Sequence, residues 1–188
     1  MVIREGSRRL RSLLLKVLKS GGVVILPCDT MYGLVGVVPA ADDRIRRIKG
    51  RGEDKPFLQL LADASWVGRL SHAAIPPALA AYWPGPLTLI VPLPAGGTVG
   101  VRVPASAFLT DLIKSINAPL YSTSVNRAGS PPLWKIKEIC AQFESEVDLV
   151  VDAGDLPHST PSTIVDVTAK PCRVLRQGDL KIPPADLA

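Results

Sequence analysis

Apolar residues at Leu10, Leu13, Leu14, Val17 and Leu18 recur at helical spacing, and Gly21-Gly22 follows as a stop signal. The period then changes. Residues 23–27 are a short unbroken apolar run of buried-strand type, and a turn carrying Asp29 and Thr30 separates them from a second run over 32–38. Asp42 is placed to cap a short helix bearing Ile45 and Ile48, which Gly50 ends. Residues 57–61 read as a strand, and Asp63 opens another short helix. Strands are expected over 87–91 and 99–103, and a helix over 106–116 with Phe108, Leu109, Leu112 and Ile113 inward. A strand over 120–122 enters a polar loop, a helix covers 133–143, and strands follow at 147–151, 163–167 and 172–175.

Strands and helices thus interleave without a linker, repeat or low-complexity tract, which predicts one α/β domain over residues 1–188. The strand-rich second half favours a mixed sheet over a purely parallel one.

Composition narrows the class. Of the 188 residues 47% are hydrophobic and 21% charged, a globular balance that excludes a disordered chain. Cys28, Cys140 and Cys172 are odd in number and widely spaced, so neither a disulfide framework nor a zinc knuckle is expected. Residues 1–18 interleave arginine with leucine, unlike a signal peptide. The most apolar stretch, 78–97, is broken by Pro84, Pro86, Pro92 and Pro94, which argues against a membrane helix. The expected setting is the reducing cytoplasm. A net charge of +5 favours a polyanionic partner such as a nucleotide or RNA. Six of the 22 basic residues, however (Arg4, Arg8, Arg9, Arg11, Lys16 and Lys19), space out the polar face of the first helix, so charge alone chooses nothing.

Polar clusters sit where strands meet loops, the usual place for ligand sites in open α/β sheets. Residues 27–34 (PCDTMYGL) present Asp29 and Thr30 after a proline, a pattern that an ordinary Asx turn also explains. Lys49 and Arg51 flank Gly50 in the run 48–56, placing a compact cation and a planar fork where a phosphate could take both. A solvated charge run is the competing reading. Residues 83–88 (WPGPLT) form a rigid turn anchored by Trp83. Arg102 interrupts the β-branched run 98–104 and requires an anion, supplied by the protein or by a ligand. Ser122 and Ser124 point to one side of an extended chain, with Asn126 beyond, and Ser162-Thr163 opens an apolar strand. Arg176-Gln177-Gly178 closes the last strand. His72 and His158 stand apart from other metal ligands, and no Gly-x-Ser-x-Gly elbow occurs. Asp148, Asp152 and Asp155 read as residues flanking a strand and its turn rather than as a metal site.

Taken in order, these clusters resemble the YrdC-like family of threonylcarbamoyl-AMP synthases, from about residue 21 to residue 178. The resemblance implies a twisted, mixed α/β sheet flanked by helices, with a concave basic face. It also implies a reaction: L-threonine, bicarbonate and ATP give threonylcarbamoyl-AMP and pyrophosphate, for N6-threonylcarbamoyladenosine in tRNAs. The implied ATP-binding positions are Lys49, Arg51, Thr98, Ser124, Asn126 and Arg176, and the implied threonine-binding positions are Thr30, Arg102, Ser122 and Ser162. Lys49 and Arg51 would face the triphosphate, and Arg102 the threonine carboxylate. No side chain need become covalently attached; the work is positioning and charge stabilisation. Magnesium is expected on the phosphates, with no protein metal motif. Further implied partners are the transfer proteins that use the product and, on the basic face, tRNA or double-stranded RNA.

The chain departs from the family pattern at Cys28 for threonine, Val125 for alanine, and Ala128 and Pro132 for serines. Val125 is expected to add bulk beside the nucleotide. Two alternatives stay open: a non-catalytic RNA-binding module, and the carbamoyl-transferring domain of hydrogenase maturation proteins, which normally sits in a much longer chain. The extra C-terminal domain of longer family members is not expected after Arg176.

Overall fold

The strand Val23–Pro27 (β2) turns back on Tyr32–Val37 (β3) as an antiparallel pair, Val24 opposite Val35 and Pro27 opposite Tyr32. This hairpin carries the Asp29-Thr30 turn, and the rest of the sheet grows outward from it. The computed structural model describes residues 1–52 and 56–188; Glu53, Asp54 and Lys55 of the basic run lie outside the described residues.

The remaining strands are β1 (Val2–Arg4), β4 (Leu58–Leu60), β5 (Leu87–Pro92), β6 (Thr98–Arg102), β7 (Leu120–Ser124), β8 (Leu149–Asp152), β9 (Thr163–Asp166) and β10 (Arg173–Arg176). Together they form one ten-stranded sheet ordered β1-β8-β2-β3-β7-β4-β6-β5-β9-β10. Parallel pairs (β1·β8, β2·β8, β4·β6, β5·β9) mix with antiparallel ones, so the sheet is mixed as expected. Parallel neighbours require crossovers, and helices supply most of them. These helices are α1 (Leu10–Lys19), α2 (Asp42–Lys49), α3 (Pro77–Ala80), α4 (Ala107–Ile116) and α5 (Ile136–Phe143).

Helices cover the sheet in two apolar cores, and the period-2 alternation of β2 feeds both. Val24 and Leu26 join Leu10, Leu14 and Leu18 of α1 and Leu109, Leu112 and Ile113 of α4. Val23 and Ile25 join Ile45 and Ile48 of α2 and Ile139 and Phe143 of α5. A strand buried on both faces must be apolar throughout, which is why residues 23–26 showed no polar alternation. The α2 contact needs a close approach: a Cβ at Gly36 would lie 2.3 Å from that of Ala41. Gly50 ends α2 at φ 63°, a left-handed conformation glycine adopts without penalty.

Three local expectations are corrected. The first helix starts only at Leu10. Arg4 therefore lies in β1, paired through its backbone with Asp152, and Arg8 and Arg9 precede the helix instead of lining its polar face. In α4, Phe108 is 40% exposed while Leu109, Leu112 and Ile113 are buried, because four consecutive-turn positions span more arc than one core face takes up. The helix expected over 133–143 begins at Ile136; residues 131–135 stay irregular, and Leu133 donates its amide to the Val125 carbonyl at 2.9 Å. Val2–Arg4, Pro77–Ala80 and the closing 3-10 turn Pro184–Leu187 were not foreseen.

The two α4 positions should separate cleanly in urea melts. Leu109→Ala is expected to cost about 2–5 kcal/mol as a buried cavity mutation, and Phe108→Ser to stay within about 0.5 kcal/mol as a surface change. Equal losses at both positions would contradict this packing.

Candidate active site

One face of the sheet opens into a cleft of about 420 Å³, within the range of small-molecule sites. Its floor is set by strand alternation. A Cβ at Gly100 would touch Thr88, Ile90 and Leu58, and a Cβ at Gly33 would meet Cys28 and Ser122. These side chains share one face. Arg102 joins them two residues beyond Gly100, and Ser124 two residues beyond Ser122. The cleft thus runs diagonally from Gly33 and Ser124 across Leu58 and Leu60 to Arg102, Thr88, Ser162 and Arg176.

Arg102 is the centre of the polar wall. It ends β6, is only 4% exposed, and donates from Nη2 to Asp29 Oδ2 at 2.6 Å and from Nε to the Gly85 carbonyl at 3.0 Å. Asp29 Oδ2 also accepts the Ala105 amide at 3.0 Å. Between β3 and β6 lie β7 and β4, three strand spacings or roughly 14 Å. The Asp29 turn therefore reaches over the sheet face to meet the end of β6, and the pair closes one side of the cleft.

A second polar chain lies beside it. Arg176 donates from Nε and Nη2 to the Ser162 carbonyl at 3.1 and 2.9 Å, and Nη2 also reaches Ser162 Oγ at 3.2 Å. Ser162 Oγ shares a hydrogen bond with Thr88 Oγ1 at 2.8 Å. Burial, and then the charge of nearby Arg102, pull the Arg176 guanidinium below its ordinary pKa. Arg176 is thus a cation held by a serine carbonyl rather than by a carboxylate.

The opposite wall is the loop after β7, latched to the end of α2. Lys49 is 4% exposed and donates to the Ser124 carbonyl (2.7 Å), the Asn126 carbonyl (3.0 Å) and Asn126 Oδ1 (2.8 Å). All three ammonium hydrogens have acceptors. Ser124 Oγ donates to the same Asn126 Oδ1 at 2.6 Å, and Ala128 donates its amide to the Lys49 carbonyl at 2.7 Å. Arg127 bonds the Ile48 carbonyl and pairs with Glu146. Burial, then repulsion from Arg51, lower the Lys49 pKa to about 8.

Eight of the ten residues expected to hold ligand line this one cleft: Thr30, Arg51, Arg102, Ser122, Ser124, Asn126, Ser162 and Arg176. Lys49 does not line it and stands behind the loop wall. Thr98 does not line it either; it is exposed at the start of β6, opposite Pro92. Val125 is fully buried in the α2–α5 core, so its bulk points away from the cleft, contrary to expectation; a strand-end residue between Ser124 and Asn126 faces the other side. Cys28 and Pro132 do line the cleft. The Cys28 thiol lies 3.8 Å from Ser122 Oγ, and burial pushes its pKa up to about 11. Asp148, Asp152 and Asp155 serve backbone amides of Val23, Gly154 and Ile136.

Asp29 and Thr88 received no role from the sequence. The signal for Asp29 was present: a buried arginine needs an anion, and the run 27–34 offers that carboxylate. Nothing local distinguished Thr88.

A helix-flanked mixed sheet with a polar, arginine-lined cleft on one face defines an α/β ligand-binding domain. The profile of the Sua5/YciO/YrdC family, described as telomere recombination, matches residues 16–178, and the chain belongs to that family. Its similarity to a threonylcarbamoyl-AMP synthase of Pyrococcus abyssi is 29% identity over 180 residues, covering 88% of this chain and 53% of that protein. The chain thus spans about half the length of that relative. Among solved structures, P. abyssi Sua5 complexed with L-threonine superposes with a TM-score of 0.84 at 27% identity, covering 96% of this chain and 57% of the other. E. coli YciO gives 0.83 at 25% identity, covering 98% of this chain and 97% of its own.

The Lys49 latch has a titration signature. Its ammonium should deprotonate near pH 8 by 15N-detected NMR, against about 10.4 for exposed lysines. Between those values the unfolded chain holds the proton more tightly than the native one, so this group's contribution to stability rises with pH. A Lys49 midpoint above 10 would show that its three acceptors outweigh burial and the repulsion of Arg51.

Proposed function

We propose that this chain is a threonylcarbamoyl-AMP synthase, acting in the cytoplasm on L-threonine, bicarbonate and ATP. The observation that carries the reading is the convergence of Thr30, Arg51, Arg102, Ser122, Ser124, Asn126, Ser162 and Arg176, distant in sequence, on one cleft. A family relative of the same architecture is described in complex with L-threonine.

The chemistry asks for positioning more than for a nucleophilic side chain. The free amine of threonine attacks the carbon of bicarbonate, and water leaves as the carbamate forms. The carbamate oxygen then attacks the α-phosphorus of ATP, the bond to the β-phosphate oxygen breaks, and pyrophosphate departs with that electron pair. Charge accumulates on phosphate oxygens throughout, and fixed cations in a partly dry cleft stabilise it without reorganising. Arg51 and Arg176 are proposed to supply that charge on the nucleotide side, with Ser124 and Asn126 as hydrogen-bonding wall. Arg102 takes the amino-acid carboxylate, and Thr30, Ser122 and Ser162 the small polar groups. Lys49 holds the Ser124–Asn126 wall in place, and would reach a phosphate only by releasing its three acceptors. Magnesium would be held by the nucleotide's phosphates and water rather than by protein carboxylates, and would neutralise part of the phosphate charge. The adenylate would pass to transfer proteins that modify tRNA.

Incubating the pure protein with the three substrates should release pyrophosphate only when all three are present, with threonylcarbamoyl-AMP identified by mass. Tight tRNA binding without adenylate formation would sink the reading in favour of an RNA-binding module. Arg102→Ala should raise the KM for threonine about tenfold or more, the loss expected of one charge-assisted contact, and shift the KM for ATP far less.

A further inference from the structure

We infer that Asp29 and Arg102 act together as a reader of the amino-acid zwitterion, Asp29 taking the ammonium and Arg102 the carboxylate. The inference rests on the proposed function for the identity of the amino acid, but not for the geometry. Arg102 spends Nε on the Gly85 carbonyl and one Nη2 hydrogen on Asp29, and Nη1 has no hydrogen-bond partner among the described residues. Asp29 spends only Oδ2, on Arg102 and on the Ala105 amide, and Oδ1 has no such partner. Neither atom is among the sealed, unsatisfied polar atoms, and both residues line the cleft.

Two opposite charges 2.6 Å apart on residues that both line the cleft, each with one edge unbonded, present a dipole and not a cation. A simple anion such as phosphate would meet the attraction of Arg102 and the repulsion of Asp29 together. An α-amino acid carries its ammonium and carboxylate on one carbon, in the opposite sense, and matches both edges at once. The pair is also held rigid. Arg102 is fixed from two sides and Asp29 by a backbone amide, so little ordering entropy is lost on binding. The Ser162–Thr88 hydroxyl pair beside it is placed for the side-chain hydroxyl. Asp29 is thereby a substrate-contacting residue in addition to the counterion that Arg102 requires.

Calorimetry on the unmutated protein tests this with L-threonine, L-threoninol (no carboxylate) and 2,3-dihydroxybutanoate (no ammonium). Both analogues should bind at least about tenfold more weakly than threonine, the loss expected of one charge-assisted contact. Asp29→Asn, checked for an intact melting transition, should weaken threonine about tenfold, while dihydroxybutanoate keeps or gains affinity because the carboxylate that repels it is neutralised. Dihydroxybutanoate binding as tightly as threonine to the unmutated protein would overturn the inference even if the variant fails to fold. So would an Asp29→Asn variant that loses both ligands alike, since Asp29 would then only aim Arg102. Preference for a different α-amino acid over its hydroxy counterpart would remove the proposed function and keep the zwitterion reader. Binding of no amino acid at all would remove both.

Discussion

A buried guanidinium on a central strand organises this molecule. Arg102 is expensive to bury, and its cost is met by bringing Asp29 from a turn three strands away. That reach draws the β2–β3 turn over the sheet face and leaves a walled cleft between them, lined by Leu58, Leu60 and Ser122. Helices cover the rest of the sheet on both sides. The uncovered face is therefore the place where polar side chains can meet a ligand while staying partly dry.

The second constraint is the latch between α2 and the loop after β7. Gly50 ends α2 where Lys49 turns under the loop and Arg51 emerges into the cleft. Ser124 and Asn126 are then fixed from behind by the Lys49 ammonium, the loop just beyond them by the Ala128 amide on the Lys49 carbonyl, and Val125 between them is anchored in the apolar core. The two walls of the cleft are built on the same logic: a buried cation whose donors are claimed by protein oxygens. They differ in what remains. Arg102 keeps an edge toward the cleft, whereas Lys49 keeps none.

Much of the architecture was legible in the linear pattern. The apolar run at 23–26 announced a strand buried on both faces, and the Gly50 stop and the Asp63 and Ser106 starts fell at real helix ends. Where the reading failed, the deciding physics was not local. Phe108 is as apolar as Leu109 but lies outside the arc that meets the core. Val125 sits in a motif of polar residues, yet alternation turns it into the opposite core. Arg4, Arg8 and Arg9 share the charge of the first helix without belonging to it, because β1 pairs with β8 from the far end of the chain.

For the cleft, the chain itself determined the inventory: which arginines, hydroxyls and amides exist, and that Arg102 must find an anion. Residue type and spacing carry that information because burying a charge costs the same wherever the partner comes from. Which anion it finds, which lysine donors are already taken, and that Thr98 lies outside the cleft while Thr88 lines it were decided only by tertiary structure. Those outcomes depend on strand order and register, through contacts between residues 73 to 77 positions apart, and no local pattern encodes them.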